Sequence, residues 1–353
     1  MEVNYGLKTN RIESGLEKRS WVNPTRDFVI WIVFLLVILA GLITWSVTKP
    51  MSISDDMTDY VEYNAEADEG EMSEWTLMQP MVTSEKGSFS IELPPGTRAD
   101  RISVRNCYQD HALLVKIKGA KASLFGTDKI FGDVSIIQTA AYRDYNGELC
   151  ISIIADGLWE YDVTQDNGKL VVTPFKADTR YDYKVVIVPE QMASEVDITG
   201  RIAELATSQL ADESVRVYSS RPVGRSKNIE ETVAFIEETD ADVVIVLSTA
   251  VSEDADEYGL SAQYNGNYYL PELNNAIVAE AFLRNVTVAT KNKADVISEA
   301  DSETILSYIN RPAAQINIGY TSNEKEYSFL QDERYQQNIV SGIVEAIREV
   351  KNR

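Results

Sequence analysis

Between Phe28 and Val47 the chain runs for 20 residues without a charge, FVIWIVFLLVILAGLITWSV. At 1.5 Å of rise per residue, a helix of about this length crosses the roughly 30 Å hydrocarbon core of a bilayer. A helix that is apolar on every side needs an apolar surround, and the polar flanks here do not supply a soluble one. Trp31 and Trp45 fall near the two ends, where amphipathic rings favour the headgroup level, and Arg26 and Lys49 bracket the run. It is longer than the core of a cleavable signal, and no A-x-A-like site follows it, so the expectation is an uncleaved single-pass anchor. Lys8, Arg11, Lys18, Arg19 and Arg26 precede the span, whereas no basic residue lies between Lys49 and Lys86. This asymmetry predicts a cytoplasmic tail over 1–27, a transmembrane helix over 28–47 and an extracytoplasmic remainder.

That remainder has about 300 residues, enough for two domains with cores of their own. A net charge of −22 argues against nucleic-acid partners, which demand a basic surface. Cys107 and Cys150 are the two cysteines; one external disulfide and two buried thiols are both open readings. Residues 48–87 are rich in acid, from Asp55 and Asp56 to Glu71 and Glu74, without the glycine-punctuated spacing of a calcium loop. They read as an extended, solvated linker.

Residues 88–175 change pattern. Phe89, Ile91 and Leu93 alternate with polar neighbours, as do Ile102 with Val104 and Val115 with Ile117, which predicts seven or so strands with one apolar face. Asn146-Gly147 and Asn167-Gly168 have the chemistry of tight hairpin turns, because Asn and Gly accept positive φ. The order of these strands, including LCISIIADGLWEYDVTQDNGKLVV, resembles the AMIN domains that precede cell-wall amidases in bacterial envelope proteins; the resemblance implies a small β-sandwich with a targeting role. His111, the one histidine of the chain, lies between strands with no cysteine or carboxylate cluster beside it and is read as a turn residue without a functional role.

From Tyr183 onward strands alternate with helices. Val185–Val188 and Val243–Leu247 are fully apolar runs of the kind buried on both faces of a parallel sheet. Helical spacing marks Asn228–Glu238, Leu270–Leu283 and Asp332–Val350, Gln315–Ile318 reads as a strand, and Asn323 with Glu326 has the start signature of a further short helix. The expected fold class is therefore a small all-β domain followed by an α/β domain over 183–353, both held to the membrane by one helix. The succession VVIVPEQ, VRVYSSRP, ADVVIVLSTA, GLSAQYN and RPAAQINIGYTSN resembles the zinc-dependent N-acetylmuramoyl-L-alanine amidases that cut peptidoglycan. Pro312–Asn323 follows the family's PAVLVEVGFLSN step for step, and Arg221 of SSRP and the Ala241-Asp242 strand opening also fit.

The resemblance implies a zinc held by two histidines and a glutamate, with a catalytic glutamate nearby. In this chain the histidine of the family's DPGH falls at Gln191, that of SIHAN at Ser248, and the catalytic glutamate at Asn317, which accepts no proton at neutral pH. Glu195 is the candidate for a retained ligand, although the glycine-rich loop expected before it is missing. A single imidazole cannot build a two-histidine zinc site. Gln191, Glu195, Ser248 and Asn317 are thus candidate ligand-binding residues at a degenerate metal site, with no catalytic residue and no cofactor expected. Two function classes follow. One is an anchored pseudo-amidase that binds peptidoglycan, a muramyl-peptide or an envelope protein, including an active hydrolase, in cell-wall remodelling. The other is an active amidase-type peptidoglycan hydrolase with a non-standard site, for which Asp254, Asp256 and Glu257 are the available acid and base.

Overall fold

The protein is described by a computed structural model that covers residues 53–54 and 74–353, apart from 85, 127, 191–195, 211–213 and 267–272, within one compact unit over 50–353. The expected tail and membrane span, 1–47, lie outside the described residues. Among those described, no helix is long and apolar enough to cross a membrane.

The alternating stretches form β1 (Ile53–Ser54), β2 (Thr76–Leu77), β3 (Gln79–Val82), β4 (Phe89–Glu92), β5 (Ile102–Cys107), β6 (Ala112–Lys118), β7 (Lys129–Gly132), β8 (Ile137–Tyr145), β9 (Glu148–Ala155), β10 (Glu160–Asp166) and β11 (Lys169–Phe175). They make two sheets, β1-β5-β6-β9-β8-β2 and β10-β11-β4-β7-β3. Val104, Val115 and Ile151 of the first share one core with Ile91, Val163 and Val172 of the second, so the pair is a sandwich. The two Asn-Gly hairpins have positive φ at Asn146, Gly147, Asn167 and Gly168. The linker assigned to 48–87 needs correction, because β1 to β3 belong to the sheets: Thr76–Leu77 pairs with Tyr142–Ala141, and Gln79–Val82 runs parallel to Lys129–Gly132. Edge pairing uses backbone groups, so the exposed side chains of β3 carry no alternation by which to recognise it. Cys107 and Cys150 are both buried thiols outside any disulfide, packed with Ala112, Leu114 and Tyr145. Burial pushes the Cys150 thiol up to about 11.

The second half consists of β12 (Tyr183–Pro189), α1 (Ile198–Thr207), β13 (Val215–Ser219), α2 (Ile229–Thr239), β14 (Val243–Ala250), β15 (Leu260–Tyr264), α3 (Asn275–Thr290), β16 (Ala294–Glu299), β17 (Ala313–Tyr320), α4 (Glu324–Gln331) and α5 (Glu333–Lys351). The sheet order is β13-β12-β14-β17-β15-β16, with only β15 and β17 antiparallel. The helix expected over 270–283 instead starts at Asn275, because the Asn274 side chain accepts from the Ile277 amide and caps it there. It runs on to Thr290.

Helices α1, α3 and α5 cover one face of this sheet, packing against Ile187, Ile245 and Ile316. Gly342 lets α5 approach α3 closely, since a Cβ there would lie 2.5 Å from Val286 Cα. The opposite face is covered differently. Val186, Val188, Val244 and Val246 pack against Phe235 and Ile236 of α2, and against Tyr108 and Leu158 contributed by the β-sandwich.

The α3–α5 contact is clamped at its end by Glu349, which accepts from Arg284, from Arg353 at 2.7 Å and from the Asn285 amide at 3.0 Å. Hydrogen bonds from Arg284 and then Arg353 hold its carboxyl down at about 2. A depressed carboxyl contributes stability above its unfolded pKa and loses it as pH falls through the folded value. Urea midpoints should therefore show Glu349→Gln less stable than the native chain at neutral pH, with the difference vanishing between about pH 4.5 and about pH 2.

Candidate functional site

In an open α/β sheet, ligands bind beyond the carboxyl ends of the strands where the strand order reverses. Here that point lies at β12, whose connections lead first to β13 on one side and then to β14 on the other. The polar residues at these ends share one sheet face. Ser248 of β14 lies in register with Asn317 of β17, and Asn317 in turn with Ser261 of β15. Ser248 Oγ donates to Asn317 Oδ1, Asn317 Nδ2 donates to Ser261 Oγ at 3.1 Å, and Gln315 Nε2 donates to Ser248 Oγ at 3.1 Å. Strand alternation puts Gln315 and Asn317 on the same side. Gln315 Oε1 is buried and has no hydrogen-bond partner among the described residues.

Of the four residues singled out from sequence, the structure thus joins Ser248, which is buried, directly to Asn317, which is half-buried. Gln191 and Glu195 lie outside the described residues. Sequence reasoning missed Glu190, whose amide bonds Leu247 O at 2.8 Å and extends the β12–β14 ladder towards Ser248. Burial raises its carboxyl above the ordinary carboxylate range. The available signal was an acid immediately after a fully apolar strand. It also missed Gln315 and Ser261, which need the strand register to be seen.

Arg221 braces this end of the sheet. It is 4% exposed in its side chain and donates to Pro189 O at 2.8 Å, Glu190 O at 3.1 Å and both carboxylate oxygens of Asp197. Asp197 caps α1 through the Gly200 amide. Burial pushes its carboxyl up, but hydrogen bonds from Arg221 and from the Gly224 and Gly200 amides, with the Arg221 charge, outweigh burial and leave it lowered. The SSRP arginine therefore ties the end of β12 to the start of α1.

The acids offered as an alternative acid and base shape a turn. Asp254 Oδ1 accepts from the Asp256 amide at 3.0 Å, and Glu257 accepts from Ser252 Oγ and, at 3.0 Å, from the Tyr320 hydroxyl. All three acids are exposed. None is hydrogen-bonded to Ser248, Gln315, Asn317 or Ser261. Burial first, then the hydrogen bond to Glu257, pushes the Tyr320 hydroxyl up to about 12.

His111 is the turn residue expected, in left-handed conformation at φ 52°. Its Nε2 lies 2.8 Å from Glu238 Oε2, a contact between sandwich and α/β domain that the sequence did not reveal. A zinc ion needs imidazole, thiolate or carboxylate donors converging on one point. Among the described residues, the groups at the β14–β17 position are neutral amides and hydroxyls already bonded to one another, and the one imidazole lies against Glu238. Among the described residues, no group of three His, Cys, Asp or Glu is placed to hold a metal.

No curated protein matches the chain. Among solved structures, the catalytic domain of CwlV, an N-acetylmuramoyl-L-alanine amidase from Bacillus (Paenibacillus) polymyxa var. colistinus, is 20% identical, covering 48% of this chain and 98% of its own, with a TM-score of 0.43. An N-acetylmuramoyl-L-alanine amidase from Clostridium difficile 630 is 18% identical over 48% of this chain and 97% of its own, with a TM-score of 0.44. The CwlD amidase from Clostridioides difficile, solved in complex with the GerS lipoprotein, is 18% identical over 48% and 99%, with a TM-score of 0.41. The family model described as N-acetylmuramoyl-L-alanine amidase matches residues 184–349, so the α/β part of this chain is amidase-like.

Proposed function

We propose that this chain is a membrane-anchored, extracytoplasmic pseudo-amidase: a protein that engages peptidoglycan, or an envelope partner working on it, in cell-wall remodelling without zinc-dependent amide cleavage. The observation that carries the reading is the hydrogen-bonded set Gln315, Ser248, Asn317 and Ser261 in place of metal-binding donors. Neutral amides and hydroxyls are poor zinc ligands but suit a substrate rich in amides and hydroxyls. Half-buried Asn317 opens the set to the outside, and Gln191 and Glu195 remain candidates from the sequence alone. The AMIN-like sandwich belongs to the reading as a targeting element, and the anchor over 28–47 holds the whole at the membrane.

The test uses the purified full-length chain. It should contain no stoichiometric zinc by elemental analysis, release no peptide from muropeptides, and sediment with peptidoglycan sacculi. Replacing Asn317 by Trp, which fills the mouth of the set, should weaken sedimentation while leaving the thermal transition within a few degrees of native. Chelator-sensitive release of peptide would overturn the reading in favour of a working hydrolase, as would tightly bound zinc. Sedimentation untouched by Asn317→Trp would move wall recognition away from this position.

A further inference from the structure

A concavity of about 420 Å³ lies between the end of α3, the start of α4 and α5, and includes Tyr258, Phe329 and Tyr335. Tyr258 and Phe329 are exposed by 52% and 47%, and Phe329 stacks on Tyr335 with ring centroids 5.8 Å apart. Three lysines border these rings. Lys293 Nζ is 5.6 Å from the centre of the Tyr258 ring, Lys325 Nζ is 6.0 Å from that of Phe329, and Lys291 lines the concavity.

The α/β domain has six lysines, Lys184, Lys227, Lys291, Lys293, Lys325 and Lys351, in a chain whose net charge is −22. Half of them gather here. Lys184 and Lys351 are paired with Asp240 and Asp182, whereas the three around the concavity are exposed and make no ion pair among the described residues. Three exposed cations around one concavity attract an arriving anion.

The floor is built to stay open. Glu326, the carboxylate in the lining, is 4% exposed and turned inward, accepting from the Gly259 amide at 3.1 Å, the Tyr320 amide at 2.7 Å and Asn292 Nδ2 at 2.6 Å. Asn292 Nδ2 also reaches the Tyr335 hydroxyl at 2.9 Å. Gly259 holds φ at 121°, and a Cβ there would stand 2.9 Å from Lys293 O, so glycine is required for the turn that carries Tyr258.

We propose that this concavity binds an anionic sugar, a pyranose bearing one acid group. The C–H face of a pyranose is weakly positive and suits the negative face of an aromatic ring, which Tyr258 and Phe329 present to solvent. The acid group would meet the lysines, which bind it as point charges and so accept carboxylate or phosphate alike. This inference goes beyond the proposed function, since it involves neither Ser248 nor Asn317 and holds whether or not the β14–β17 position recognises the wall.

The full-length chain can be titrated at low salt with three sugars observed by saturation-transfer NMR: N-acetylmuramic acid, glucose 6-phosphate and neutral N-acetylglucosamine. At least one acidic sugar should bind more tightly than the neutral one, and the stronger of the two identifies the acid group. Lys291→Gln and Lys325→Gln should each weaken that sugar by about 2- to 5-fold, the scale of an exposed ion pair. Raising the salt should do likewise. Phe329→Ala should weaken acidic and neutral sugars together, and Asn317→Trp should change none of them. Acidic sugars that bind no better than N-acetylglucosamine, or that are indifferent to both lysine substitutions, would overturn the assignment. Retained sedimentation with sacculi in that case would leave the proposed function standing.

Discussion

Replacing Glu160 by alanine is expected to cost about 3–5 kcal/mol, the scale for removing one partner of a buried ion pair and stranding the other. Glu160 belongs to β10 of the sandwich, and its partner Arg216 to β13 of the α/β domain; their side chains are 9% and 6% exposed. Arg216 Nε donates to Glu160 Oε1 at 2.7 Å, and the Tyr218 hydroxyl donates to the same oxygen at 2.9 Å. Asn106 Nδ2 reaches Oε2 at 3.3 Å from the sandwich side. Burial, and after it the Glu160 charge, raises the Tyr218 hydroxyl well above its ordinary value, so that group stays a donor. Denaturant titration of Glu160→Ala should show the loss as a lower midpoint. Pairing the substitution with Arg216→Met should recover a large part of it, because a buried ion pair replaced on both sides by apolar groups is often neutral. If Glu160→Ala costs no more than an exposed pair, about 1 kcal/mol or less, the two halves are not joined through this contact.

Much of the α/β half was legible because its signals are local. The apolar runs at Val185–Val188 and Val243–Leu247 became β12 and β14, and caps such as Asn323, whose side chain accepts from the Glu326 amide at 3.0 Å, are written within four residues of chain. The alignment of Ser248 with Asn317 was also implicit, since both follow buried runs whose register then brings them side by side. β16 escaped notice because it is an exposed edge, with Val296 72% exposed, and lacks the alternation that burial imposes. The concavity at Tyr258 and Phe329 was invisible for another reason. Its lysines come from positions 291, 293 and 325, and only the fold of α3, α4 and the turn at Gly259 brings them together. The seam between the halves was hidden too, because nothing in Tyr108 or Leu158 marks them as core residues of a domain that begins about 25–75 residues later.

That seam sets the last expected result: residues 180–353 produced alone should not form a stable, soluble domain. One face of the α/β sheet has three helices, but the other has α2 and, beyond it, the sandwich. Tyr108 is 1% exposed, lies 5.1 Å from the Tyr218 ring edge-to-face and 6.0 Å from Phe235 in a stack, and its hydroxyl accepts from the Ser219 amide at 2.9 Å. Gln109 Nε2 donates to Ser219 O at 3.1 Å, the Leu158 amide to Glu238 Oε1 at 3.1 Å, and Arg225 to Asp110 at 3.2 Å. Cutting the chain at residue 180 exposes Val186, Val188, Tyr218 and Phe235 and leaves the Ser219 amide without its partner. A contiguous apolar surface of that kind drives association. The isolated domain should bind a hydrophobic dye and aggregate, whereas residues 74–353 should unfold in one transition by calorimetry. In the full chain, Tyr108→Ala should cost about 3–5 kcal/mol, as for other large aromatic truncations in a core, and Tyr108→Phe, which removes only the hydroxyl, about 1–2 kcal/mol. A monomeric 180–353 fragment with a native-like thermal transition would show that the sandwich is a dispensable appendage. Failure of that fragment, beside a modest cost for Tyr108→Phe and a large one for Tyr108→Ala, would mean that the two halves fold as one body, so that the proposed wall binding must be tested by point substitutions in the intact chain and not by deleting a domain.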